Sequence, residues 1–125
     1  MLGPQTKGEF GDRLEKLAVR VITMTNALPR TAAGRHVGVQ LLRSGTSPGA
    51  NYCEARCAES RADFAHKMQI VVKELRETLY WIELCRNTHL LKPTRLAGIA
   101  GEVNELISIG VKSVVTAKSN RRTER

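Results

Sequence analysis

The side chains best equipped for chemistry in this 125-residue chain lie between Arg43 and Glu83, within RSGTSPGANYCEARCAESRADFAHKMQIVVKELRETLYWIE. Arg43 and Glu77 are equidistant from Ser60, so a helical hairpin turning there brings a guanidinium onto a carboxylate, and Asn51 onto Gln69 or its neighbours. Such contacts either fix helix register or form a binding or acid–base cluster. Acid–base work needs Glu54, Glu74, Glu77 or Glu83 to converge in a cleft, which a narrow bundle core rarely offers. Arg43, Asn51, Glu54 and Glu77 are therefore expected to be structural polar residues that specify packing. Cys53, Cys57 and His66 supply three possible metal ligands, but without a C-x-x-C spacing they are expected to be buried small residues and no ligand set. No cofactor is expected.

Other constellations are weaker. His36, His66 and His89 are scattered, and none stands beside a serine or cysteine in a nucleophile motif. Gly34, Gly38, Gly45 and Gly49 are spread along one helix, which suits close helix packing better than a phosphate loop. Tyr80 and Trp81 offer stacking surfaces for bases, yet on so apolar a helix they are expected in the core or at a subunit interface. No catalytic residue emerges, and the chain is expected not to be an enzyme.

Four helices must position these groups. Leu14, Leu17, Ala18, Val21, Met24 and Leu28 recur at helical spacing after Asp12, a possible cap, and Pro29 stops the run; this predicts a helix over 12–28. Thr31 caps a second over 32–59, loosened or bent at Pro48–Gly49. Ser60, three residues before Asp63, opens a third over 61–88 with Phe64, Met68, Val71, Leu75, Leu79 and Ile82 on one seam. Pro93 suits the first position of a fourth over 93–117, whose seam runs from Leu96 through Val103 to Val114. Residues 118–125, polar and basic, are expected to be a disordered tail. Short loops between long helices imply antiparallel neighbours, hence one all-α domain: an up-down-up-down four-helix bundle. With only five aromatic residues, the core must be aliphatic.

Composition narrows the partners. The net charge of +8 suggests an anionic one. No acid falls between Glu15 and Glu54, or between Glu83 and Glu102. The loops near residues 30 and 91 share one end of the proposed bundle. Arg30, Arg35, His36, Arg86, His89, Lys92 and Arg95 gather there as the expected nucleic-acid-binding set, through backbone phosphates of RNA or DNA. A solvated basic surface complementing helix dipoles is the plainer alternative. The opposite end mixes Arg13, Lys16, Arg56, Arg61, Lys118, Arg121 and Arg122 with acids. Apolar runs are far shorter than a membrane span, the first residues lack a signal core, and three cysteines without a framework suit a cytoplasmic location.

The run R-S-x-x-S-x-x-A-N-x-x-E, then S-R-A-D-F, then K-E-L-R-E-T-L-Y-W-I-E-L resembles the four-helix bundle family of intervening-sequence-encoded, S23-type proteins. The similarity spans roughly Phe10 to Val115. It departs at Glu54-Ala55, where Glu-Gly is usual, and at Lys73-Glu74, where Gly-Ser is common. The resemblance implies a small antiparallel bundle that often assembles as a homopentamer. It also implies kinship with the nucleic-acid-binding accessory protein of diversity-generating retroelements, which partners a reverse transcriptase. Two functions follow as expectations: a basic homo-oligomer that binds nucleic acid, or a protein-interaction scaffold that does not.

Overall fold

A computed structural model describes residues 8–123. The helices are α1 (Gly8–Ala27), α2 (Ala32–Arg56), α3 (Arg61–Thr88) and α4 (Pro93–Thr123). They form the antiparallel bundle that the alternation of seams and short loops predicts. α3 packs broadly on both α2 and α4, α1 packs on α2, and α1 meets α4 along a narrower line. The core is aliphatic throughout: Leu14, Leu17, Val21, Leu41, Met68, Val71, Leu75, Ile82, Leu96, Ile99, Val103 and Leu106 are fully buried.

Two of the three expected caps are formed. The Thr31 hydroxyl accepts from Gly34 N at 3.1 Å, and the Ser60 hydroxyl accepts from Asp63 N at 3.0 Å. Each satisfies a backbone donor that the first helical turn cannot pair internally. Asp12 is not a cap: α1 already begins at Gly8, and Asp12 is an exposed position inside it. α2 stops at Arg56, short of 59, where Cys57 N turns back onto the Glu54 carbonyl. α4 continues through Thr123, so 118–123 is helical and not the expected disordered tail. Residues 124–125 and the side chains of Arg121 and Arg122 lie outside the described residues.

Pro48 is buried inside α2, and the helix continues through it. The hydroxyls of Thr46 and Ser47 donate to the Leu42 and Arg43 carbonyls around this point, adding bonds next to the position where proline removes one. Of the α2 glycines, Gly45 and Gly49 face α1 while Gly34 and Gly38 face the loop that follows it, and Gly45 and Gly34 are required by close approach. A Cβ on Gly45 would stand 2.6 Å from a methyl of Val21, and one on Gly34 would stand 1.9 Å from the Pro29 carbonyl oxygen. Gly110 plays the same part between α4 and α3, against Val72 at 2.7 Å.

Candidate nucleic-acid interface

α2 and α3 hold the polar groups of the central motif. Arg43 donates to Glu74 Oε1 at 3.1 Å and also pairs with Glu77, the partner that equidistance from Ser60 predicts. Glu77 in turn accepts from the Trp81 indole at 3.1 Å. Hydrogen bonds from Arg43 and then Trp81 hold the Glu77 carboxyl below its ordinary range, and the Arg43 guanidinium is correspondingly strengthened as a base. Glu74 is only 9% exposed, so its ion pair is the more shielded of the two. Ser44 and Thr78 are buried and donate to the Leu41 and Glu74 carbonyls. Ser44 and Thr78 thus satisfy their hydroxyls within their own helices, and the Arg43 pairs are the polar contacts of this group that join α2 to α3, so sliding either helix by one residue would break those pairs.

Two members of the expected polar set behave differently. Asn51 donates to the Ser47 carbonyl in its own helix at 3.0 Å, while Gln69 is exposed. Glu54 is exposed near the end of α2 and takes no part in this network. Cys53 and Cys57 are also exposed, correcting the expectation of burial; Cys85 is the buried cysteine, its thiol pushed up by desolvation. Among the described residues, no group of three or more His, Cys, Asp or Glu side chains could hold a metal ion.

The α1–α2 and α3–α4 loops share one end of the bundle. Arg30, Arg35, His36, His89, Lys92 and Arg95 are all exposed there, and Arg86 is half-buried. α2 and α4 both start at this end, and neither carries an acid in its first turn. Their backbone N–H groups therefore add partial positive charge to the side-chain cations. Four details depart from a simple cluster of free cations. Arg86 pairs with Glu83, an acid just outside the acid-free window. Arg35 donates to the Arg30 carbonyl at 2.9 Å, which ties it to the loop. His89 is the left-handed cap of α3 (φ 58°), its N–H turned back onto the Arg86 and Cys85 carbonyls. His36 reaches across to α3, where its ring meets Trp81 edge-on with centroids 6.0 Å apart.

Residues 10–111, nearly the whole helical framework, match the sequence model of the 23S rRNA-intervening sequence proteins. The chain belongs to that family. A similar solved structure is that of a protein with unknown function from the S23 ribosomal protein family of Bacteroides thetaiotaomicron VPI-5482, determined at 1.70 Å. It is 34% identical, with a TM-score of 0.79 over 84% of this chain and 97% of that one. No curated protein matches the chain.

In this member of the intervening-sequence family, sequence reasoning missed two groups. Arg13 of α1 grips Glu102 with two hydrogen bonds of 3.0 and 2.8 Å and reaches Glu105 at 2.9 Å, closing the bundle between α1 and α4. No single loop joins those helices, so equidistance from a turn cannot find the pair. Glu74 was legible: it lies one turn before Glu77 and on the same face. At the far end, an open cleft of about 790 Å³ has Phe64, Ile109 and Ala117 in its wall, with Arg56, Arg61 and Lys112 among its charged lining. No described helix is long and apolar enough to cross a membrane.

Proposed function

We propose that this protein is a non-enzymatic nucleic-acid-binding bundle whose loop end takes the sugar–phosphate backbone with little base specificity. The observation that carries this reading is the conjunction at one end. Arg30, Arg35, Lys92 and Arg95 are exposed beside two helix starts that lack acids. Phosphate oxygens are matched by both kinds of charge, and a row of such contacts releases counterions from the polyanion. The family's name refers to rRNA intervening sequences, which makes RNA the first ligand to test, with DNA beside it. The cytoplasm suits the free cysteines. In a homo-oligomer, a pentamer among the options, the basic end would repeat and weak contacts would gain avidity. A reverse transcriptase carrying nucleic acid is a partner of fitting chemistry.

The test is fluorescence anisotropy with labelled RNA and DNA across a salt series. Binding should weaken steeply with salt, and Arg30→Glu/Lys92→Glu/Arg95→Glu should abolish it with the helical circular-dichroism signal intact. Arg86 is left out because its pairing with Glu83 makes a reversed charge there disruptive in itself. Salt-insensitive binding, or normal binding by the triple variant, would overturn the reading.

One observation favours a second reading, a protein-interaction scaffold. Val19 and Ile22 on α1 and Val39 and Leu42 on α2 are exposed branched apolar residues on neighbouring helices. An interaction through that face would be nearly indifferent to salt.

A further inference from the structure

Beside the basic end, α2 and α3 carry an aromatic group that the phosphate reading does not use. Tyr80 is 58% exposed, although it occupies mid-helix. Its ring meets Trp81 edge-to-face at 4.9 Å and 77°, and Trp81 meets His36 at 6.0 Å and 76°. Neither contact is a parallel stack, so the rings brace one another without pairing face to face. The indole is fixed further through its hydrogen bond to Glu77, itself held by Arg43. The Tyr80 ring thus rests on a rigid support, with little left to lose in side-chain entropy when a planar ligand stacks on it.

The surroundings state the charge of that ligand. Lys73 and Arg76 are exposed on α3 seven and four residues before Tyr80, hence on its side of the helix. Glu77 and Glu83, three residues before and after Tyr80, share that side, but Arg43 and Arg86 pair with them and leave Lys73 and Arg76 as the exposed charges. An exposed aromatic ring flanked by cations complements a planar group borne on a polyanion. The geometry points to Tyr80, braced by Trp81 and His36, as a stacking platform for unpaired nucleobases, with Lys73 and Arg76 taking the adjoining phosphates. The preferred ligand is then a single strand or a loop with extruded bases, because a duplex buries its base faces. This rests on the reading that the loop end binds nucleic acid, and it adds a discrimination that phosphate contacts alone cannot provide.

The test compares a labelled single-stranded RNA, its DNA counterpart and the fully paired RNA duplex by anisotropy at one low salt concentration, for wild type, Tyr80→Ala and Tyr80→Phe. Tyr80→Ala should weaken both single strands about tenfold, the loss of one base stack, and leave the duplex within about twofold. Tyr80→Phe, which keeps the ring, should bind as wild type. Trp81 is the only tryptophan, so its emission should change on adding single strand and stay unchanged with duplex. Equal loss on all ligands, or none on any, overturns the platform while leaving phosphate binding intact. If wild type binds no ligand, the function proposed above fails first and the platform with it. A changed oligomeric mass for Tyr80→Ala in sedimentation would make the surface a contact between copies and would also overturn the proposal.

Discussion

At Arg43 one guanidinium serves two carboxylates of unequal burial, and the inequality sets what mutation does. Replacing Arg43 by Ala strands Glu74 in a site where it is almost wholly shielded from water, and an uncompensated buried charge costs more than a lost exposed pair. Arg43→Ala should therefore lower the urea midpoint more than Glu77→Gln does. The same pairs give the fold an acid limit. Glu77 is held low by Arg43 and Trp81, and Glu102 by Arg13, both from an ordinary value of 4.5. A carboxyl that titrates lower when folded stabilises the fold fully above its ordinary value, and that contribution is lost as pH falls through the folded one. Urea midpoints measured from neutrality to about pH 3 should fall mainly below pH 4.5, and less steeply in a Glu77→Gln/Glu102→Gln double variant. The cysteines provide a third check. In the native protein a thiol reagent should modify Cys53 and Cys57, leaving Cys85 until the chain unfolds.

Helices pack here at distances set by glycine, and the effect differs by position. A methyl at Gly45 would collide with Val21 at 2.6 Å, both residues being buried. Gly45→Ala should cost about 1–3 kcal/mol, the usual range for overpacking a filled interface. Gly101 has nothing within 4 Å of the same construction and is exposed in mid-α4. Gly101→Ala should stabilise by ~0.5–1 kcal/mol through helix propensity alone. Thermal melts of the two variants would move in opposite directions. Loop chemistry follows the same logic at His89, a residue with a Cβ in the left-handed region where glycine is unstrained. His89→Gly should raise stability by about 1 kcal/mol, and any accompanying loss of RNA affinity would report the imidazole's own contact.

On the scale of the molecule, charge is sorted more clearly than hydrophobicity. The loop end concentrates cations and two helix starts without acids, with Glu83 engaged by Arg86, while at the far end Arg56, Arg61 and Lys112 share their cleft with Glu59. Salt dependence is the property that belongs to the whole end and to no single residue. The logarithm of the RNA association constant should fall linearly with the logarithm of salt concentration, and each neutralised contact among Arg30, Lys92 and Arg95 should reduce the slope by roughly one. The apolar residues exposed on α1 and α2 should be silent in that experiment.

The helices and the two hydroxyl caps were legible in the chain because each depends on neighbours three or four residues apart, and the antiparallel order because the loops between long helices are short. The Arg43–Glu77 pair was legible too, since one short turn converts sequence distance into spatial register. Tertiary structure decided what depends on helices joined by no single loop, above all the Arg13 clamp across α1 and α4. It also decided which side of an evenly mixed helix meets solvent: Cys85 is enclosed, whereas Cys53 and Cys57 face outward against the general preference of cysteine for burial. The acid-free windows located a basic end from the sequence, yet the pairing of Arg86 with Glu83 and the bracing of Tyr80 by Trp81 and His36 appear only once the helices have packed. Periodicity states which positions repeat, whereas burial and pairing depend on what the neighbouring helix presents.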